Sequence, residues 1–413
     1  MTTRKLTVFI YLPEKTSAVP CGIFTHDSSL SLGSFAYGRR YLERDNCLPA
    51  DPTALPLEIP PREVVINGGL YGSFRDASPD WWGRMVIAAE SGTAPEAFSE
   101  IDFLQAADAT RVGNLDFRLT PDDPEPELKP PSFNRLTDIL SASEQLEAGS
   151  PTATHLLQLL RQGTSMGGAR PKCTVEWRDA LWIAKFPAKG DSLDIPRLEY
   201  AAMTLAGKCG INVPEMHLVR IGDKNVFLIR RFDREKAENG WYRKGFQSGL
   251  SLMQWDERDR PSWSYSAIAG RLRRFMNSDY IHEFYRRMVF NILVRNTDDH
   301  PRNHGILIHG KEIMLSPAYD IVPSLIPVGT GTDFRLAMSV GDQGREADLD
   351  NALSQAPLFG LAQERASAMI DELVKNVGSW QSHFEKCGVP GNEIDILRPS
   401  FRKTERTRRK KQC

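Results

Sequence analysis

The hydrophobic pattern of this chain goes from β-rich to mostly helical near Asp233, and that change constrains the fold more than any single motif. Before it, apolar residues come in short runs: LTVFIYLP, CGIF and LSLGSFAYG within residues 6–38, then VGNLDFRL, KCTVEW, ALWIAKF and NVFLIRRF. Such runs, bounded by Gly, Pro, Asn and Asp, predict strands. After it, apolar positions recur at helical spacing, which predicts helices over Tyr265–Phe275, Ser278–Arg295 and Leu361–Val377. One hairpin interrupts them, GILIHG and EIMLSP joined at Gly310-Lys311. A β-rich part followed by a mostly α part, with no internal repeat, is an α+β arrangement.

Helices also punctuate the first part. Ser78 as N-cap, Pro79 at the first helical position and Asp80 in the first turn predict a helix to Glu90. Others are expected over Phe98–Ala107, over 134–162 with a break at AGSP, and over Arg197–Lys208. KCTVEW and ALWIAKF flank Arg178-Asp179 and read as a hairpin. The Pro-rich stretch 48–62 is extended loop, and TPDDPEPELKPP (120–131) is a connector, because its prolines fit neither a helix nor a central strand. The expected domains are therefore 1–130, 131–235 and 236–413.

A net charge of −1 on 413 residues gives no whole-molecule field for nucleic acid. The six cysteines are scattered without a C-x-x-C pair, so reduced structural thiols are expected. No apolar run approaches a membrane span, and the N-terminal run is soon interrupted by Glu14 and Lys15, so the expectation is a cytoplasmic protein without membrane contact.

The stretch NTDDHPRNHG crowds Asp298, Asp299, His300 and Asn303 into six positions. A metal site, a phosphate-transfer loop and a polar turn all share that composition. A zinc site on His300, His304 and His309 is disfavoured by Pro301, which breaks any local helix, and by the lack of a nearby cysteine. The residues downstream discriminate better. Asp298, four residues, Asn303, a hairpin and then Asp320 is the order in which the kinase plan places its catalytic carboxylate and two magnesium-holding residues. Here the histidine follows the aspartate, whereas in protein kinases it precedes it. Upstream, TSMGGARPK supplies a Gly-rich turn, Lys185 ends the strand WIAKF, and Glu199 sits early in the next helix, where a lysine partner belongs.

TSMGGARPK, IAKFP, EYAAMTLAGKCGINVPE, RRFDR, NTDDHPRNHG and LSPAYDIVPS occur in one order across residues 164–324 and closely resemble the HipA family of toxin kinases. FRDASPDWWGRMVI and IDFLQAADATRVGNLDF resemble that family's first subdomain. The resemblance implies a bilobal protein-kinase-like fold: a β-rich N-lobe with an extra N-terminal subdomain, and a mostly helical C-lobe. It implies an ATP- and Mg2+-dependent serine/threonine kinase, the toxin of a toxin–antitoxin pair, acting on a translation factor such as an aminoacyl-tRNA synthetase and partnered by a helix-turn-helix antitoxin.

By position in the motifs, Asp298 is the catalytic base, and Asn303 and Asp320 are the metal ligands. Nucleotide contacts fall to Gly167, Gly168, Ala169, Arg170, Pro171, Lys172, Lys185, Arg230, Arg231, Phe232, His300 and Asn303. Glu199 pairs with Lys185, and Ser165, preceded by Thr164, is the autophosphorylation site. Two departures bear on nucleotide affinity and loop flexibility: Arg170-Pro171 stands where the family often has Gln-Glu, and Arg230 stands at its acidic hinge position. Asp299 matches no role and reads as a structural residue suited to a control mutation. The basic tail, Arg402–Lys411, is either a solvated end or a contact for DNA phosphates. A catalytically dead corepressor acting with the antitoxin on operator DNA, and a small-molecule kinase, are the rival functions.

Overall fold

The computed structural model describes residues 3–163, 168–325 and 334–404. The chain forms two compact units: residues 1–191, 216–258 and 305–313 make the first, and 192–215, 259–304 and 314–413 the second.

The first unit opens with β1 (Thr3–Tyr11), β2 (Ala18–Asp27), β3 (Leu32–Tyr37), β4 (Arg62–Val64) and β5 (Leu115–Arg118), an antiparallel sheet in the order β4-β3-β2-β1-β5. Leu6, Val8 and Ile10 alternate into a core with Phe24, Phe35, Phe74 and Phe117. Phe74 stands edge-on to Phe24, Phe35 and Phe117, the arrangement that ring quadrupoles favour.

A second sheet contains β6 (Lys172–Trp177), β7 (Ala180–Lys185), β8 (Met216–Ile221) and β9 (Lys224–Arg230), ordered β6-β7-β9-β8. The expected hairpin is present: Trp177 pairs with Ala180, and the two turn residues, Arg178 and Asp179, both have left-handed φ, at 49° and 53°. A two-residue loop of that kind matches the strands' right-handed twist. Helices Trp81–Ser91, Leu136–Glu147 and Thr154–Arg161 contribute Trp82, Val86, Ile139 and Leu160 to one core with Val175, Trp182, Ala184, Val226 and Leu228 from the sheet.

Three expectations need correction. The helix expected from Ser78 begins at Trp81, and Ser78 instead caps the C-terminus of a separate short helix, Gly72–Ala77. β8 was not anticipated, because five of its six residues are half-buried and it shows no alternation. The chain beyond Asp233 is not yet helical: β10 (Arg234–Ala237), β11 (Gly240–Arg243) and β12 (Gly245–Ser248) come first. These strands are four residues each, with one or two apolar or aromatic side chains apiece, too few to register a period. β12 pairs with β13 (Gly305–His309), which leads at Gly310 into β14 (Glu312–Leu315), the expected second hairpin.

Buried charge also holds the first unit together. Asp233, Arg231 and Arg234 are 3%, 3% and 6% exposed. Asp233 accepts from Arg231 Nε and Nη2 at 2.9 and 2.8 Å, from Arg234 Nη1 at 2.8 Å and from the Gly113 amide at 3.1 Å. Burial alone raises its carboxyl, but Arg231 and Arg234 outweigh burial and hold it well below the usual carboxylate range. Arg231 also donates to the Thr110 carbonyl at 2.6 Å, which ties the end of the second sheet to the loop before β5.

The second unit is mostly helical. Its axis is Ser278–Val294, begun by Asn277, whose side chain accepts from Asp279 N, and ended by Arg295 in the left-handed region. Ile281, Phe284, Tyr285 and every residue from Arg287 to Val294 are buried. Ile195–Lys208, Tyr265–Leu272 and Gln363–Val377 match the expected helices to within three residues at each end. No described helix is long and apolar enough to cross a membrane.

Candidate active site

The loop after the Ser278–Val294 helix carries the crowded polar residues, and Pro301 starts a short 3-10 turn that carries Asn303. The Asp298 carbonyl accepts from the His300 amide at 2.8 Å and from Asn303 Nδ2 at 3.2 Å. The Asn303 amide bonds to the His300 carbonyl at 2.9 Å, so the D-x-x-x-x-N spacing closes into a compact turn. Two clasps bring Asp320 to this loop. Ser324 N–H bonds to the Arg295 carbonyl at 2.9 Å, and Ser324 Oγ contacts Thr297 Oγ1 at 2.6 Å. On the other side Tyr319 donates to the Arg302 carbonyl at 2.7 Å. Asp320 sits between the clasps with left-handed φ, 62°, an uncommon conformation for a residue other than glycine.

Asp298 is exposed. Its carboxyl is raised above the ordinary value, first by removal of water from its buried side and then by the like charges of Asp320 and Asp299, while His300 and Arg260 act in the opposite sense. Arg260 was not anticipated, because its sequence position lies far upstream and nothing in its neighbourhood marks it.

Asp299 points the other way. It is 1% exposed and accepts from Asn291 Nδ2 at 2.7 Å, His304 Nε2 at 2.9 Å and the Tyr265 hydroxyl. Burial first, and Asp299 second, keep the Tyr265 phenol well above its ordinary value, so it remains a donor. Asp299 is thus a buried acceptor tied to the core, where the sequence marked it as a control position. His304, 4% exposed, serves this carboxylate.

The expected phosphate side lies in the first unit. Lys172 and Lys185 are directly opposed across β6 and β7, so both side chains leave the same face of the sheet. Lys172 is buried and Lys185 half-buried. Gly168 lies against Lys172 Nζ, and its φ of 110° is one that residues with a Cβ rarely adopt, which favours glycine here. The Gly168 amide donates to Asp80 at 2.7 Å, and Trp82 Nε1 donates to the Lys172 carbonyl at 2.9 Å. The start of the Trp81–Ser91 helix thus holds the end of the Gly-rich turn. Ala169 is exposed, Arg170 pairs with Asp191 at 2.8 Å, and the buried Pro171 gives its carbonyl to the Phe186 amide.

Of the hinge residues, Arg230 is exposed, Phe232 half-buried, and Arg231 occupied by Asp233 and Thr110. Glu199 is buried on the Ile195–Lys208 helix of the second unit. Thr164, Ser165 and Gly167 lie outside the described residues, as does the tail beyond Thr404.

Comparison with known proteins points to one family. The family described as HipA-like C-terminal domain matches residues 164–381, just over half of the chain. "Putative kinase Y4dM" of Sinorhizobium fredii is 31% identical over 165 residues, a match covering 37% of this chain and only 39% of that protein. "Putative kinase Y4mE" of the same organism is 23% identical over 370 residues, covering 80% of each. Among solved structures, HipA of Shewanella oneidensis MR-1, in a complex with HipB and operator DNA, superposes with a TM-score of 0.66 at 14% identity, covering 97% of this chain and 95% of that one. At that identity the likeness speaks for the fold, and the fold is the expected kinase-like α+β one.

Proposed function

Because the chain belongs to the HipA-like C-terminal domain family, we propose that it is an ATP- and Mg2+-dependent serine/threonine protein kinase and the toxin of a toxin–antitoxin pair. The observation that carries this reading is the arrangement in the second unit: an exposed carboxylate, Asp298, on a loop pinned to the segment that bears Asp320, with Asn303 closing the turn between them.

Asp298, the exposed carboxylate of the loop, accepts the proton of the attacking hydroxyl. Asn303 spends Nδ2 on the Asp298 carbonyl, which leaves Oδ1 as the carboxamide's oxygen for a cation. With Asp320 it forms the sparse oxygen set that suits magnesium, whose remaining positions go to water and phosphate. The like-charge crowding of Asp298 by Asp320 is what a divalent cation there relieves. Magnesium, when bound, supplies neutralisation of the phosphate charge. Lys172 and Lys185, side by side on one sheet face, hold phosphate oxygens, with the Gly168–Lys172 turn and His300 as further contacts and Glu199 as the lysine partner. Ser165 is the autophosphorylation site. The acceptor is a Ser or Thr hydroxyl on a cytoplasmic translation factor, an aminoacyl-tRNA synthetase by resemblance, and the partner is a helix-turn-helix antitoxin, in keeping with the HipB in the Shewanella complex.

The test is transfer of γ-labelled phosphate by the purified protein to itself and to a cell extract, with and without magnesium. Wild type labels Ser165 and an extract protein, and Asp298→Asn and Asp320→Ala label nothing. Wild-type transfer by Asp298→Asn overturns the assignment. A wild type without transfer that still binds an antitoxin–operator complex points to the corepressor reading.

A further inference from the structure

Two adjacent aspartates occupy the loop, and the proposed reaction uses only one. Asp299 is nonetheless more heavily engaged than Asp298. Its carboxylate is 1% exposed and collects donors from three elements: Tyr265 at the start of the Tyr265–Leu272 helix, Asn291 on the Ser278–Val294 helix, and His304 where the 3-10 turn ends. Asn291 works at both ends of its amide, because its Oδ1 accepts from Asn296 Nδ2 at 3.2 Å while its Nδ2 donates to Asp299. The network therefore grips the loop at its start, Asn296, its middle, Asp299, and its end, His304. The peptide between Asp298 and Asp299 is held from both sides. Its carbonyl accepts from the His300 amide and from Asn303 Nδ2, and the next side chain is anchored in the core. Rotation of that peptide would swing the Asp298 carboxylate and release the Asn303 carboxamide together.

We propose that Asp299 is a positioning residue, which through Tyr265, Asn291 and His304 fixes the peptide that orients Asp298 and Asn303. It acts on transfer without touching nucleotide. This rests on the kinase reading of the site. All three donors converge on one oxygen, Oδ2; a carboxamide oxygen in its place has two lone pairs for three donors and no charge, so Asp299→Asn keeps shape and volume while weakening the network. Tyr265→Phe removes a single donor and leaves the carboxylate in place.

The experiment compares wild type, Asp299→Asn and Tyr265→Phe by steady-state transfer, by affinity for a fluorescent ATP analogue, by thermal midpoint, and by hydrogen exchange of residues 296–304. A loop displaced by about 1 Å costs on the order of a hundredfold in rate. Asp299→Asn is therefore expected to lower kcat about 100-fold, and Tyr265→Phe about tenfold, with KM for ATP and analogue affinity within twofold of wild type and faster exchange confined to 296–304. A merely structural residue would lower the thermal midpoint and the fraction of active protein while the folded fraction turned over normally. Normal kcat in folded Asp299→Asn, or a changed KM with unchanged kcat, overturns the proposal. If Asp299→Asn does not fold, Tyr265→Phe decides on the same criteria. If the wild type transfers no phosphate, the kinase reading fails by itself. Hydrogen exchange then still decides whether Asp299 holds the loop, and unchanged exchange at 296–304 in both variants rejects it.

Discussion

Asp298 and Asp299 have the same side chain and adjacent positions, yet one faces solvent and the other is the acceptor at the centre of a buried network. What separates them is the direction each side chain takes from a fixed backbone. Asp233 shows the same dependence on surroundings, since its carboxylate joins two buried guanidiniums. Asp233→Ala leaves Arg231 and Arg234 buried without their counter-charge, and is expected to cost about 3–5 kcal/mol in urea unfolding. A loss below about 1 kcal/mol would show that water reaches those arginines. His383 supplies a pH-dependent case within the second unit. It is 5% exposed, with Nδ1 2.7 Å from Lys208 Nζ and Nε2 3.1 Å from the Ala201 carbonyl and 3.0 Å from Thr204 Oγ1, and with the Cys387 thiol 3.7 Å away. Burial, then Lys208 and Lys386, lower its folded-state value below the usual 6.5. The unfolded chain thus takes up a proton first as pH falls. The contribution of His383 is complete above 6.5 and is lost below it, down to the folded value. Between about pH 7 and about pH 5, wild type should lose more stability than His383→Gln. Equal slopes for the two proteins would place the acid sensitivity elsewhere.

At the scale of elements, the sequence is most legible where one rule acts alone. The Arg178-Asp179 turn, the Gly310 turn and the long helix ending at Arg295 follow from local chemistry, and all three form as expected. β8 and β10 to β12 were illegible because their residues answer to partners in other strands and to buried charge. The loop shows the same division. That Asp298, Asn303 and Asp320 come together was readable from their spacing, whereas the network under Asp299 was not, because Tyr265 and Asn291 lie on two other helices and look like ordinary core positions. The hairpin offers a direct test of local chemistry. Arg178 and Asp179 both occupy a conformation that costs residues with a Cβ roughly 1–2 kcal/mol, and Asn-Gly suits such a turn best. Arg178→Asn with Asp179→Gly should therefore raise stability by about 1 kcal/mol, after allowing for the extra freedom glycine gives the unfolded chain. A lower thermal midpoint would mean that Arg178, stacked 4.0 Å over Trp177, contributes more than the strain it bears.

At the scale of the whole molecule, each unit carries residues that the proposed function gives to the nucleotide: Lys172 and Lys185 lie in the first unit, Asn303 and Asp320 in the second. A ligand that binds only the folded chain stabilises it by mass action, by about 2.7 kcal/mol at a hundredfold excess over Kd, which is a rise of a few degrees in Tm. Magnesium with a non-hydrolysable ATP analogue should therefore raise the midpoint of wild type. If the proposed roles hold, Lys185→Met removes a phosphate contact and Asp320→Ala a cation ligand, so each should lose most of the rise. Asp298→Asn keeps both sets of contacts and relieves the repulsion from Asp320, so its rise should equal or exceed that of wild type although its transfer is abolished. If Lys185→Met kept the full rise while Asp320→Ala lost it, nucleotide would be held by the second unit alone. The pair of lysines facing one way from β6 and β7 would then need another ligand.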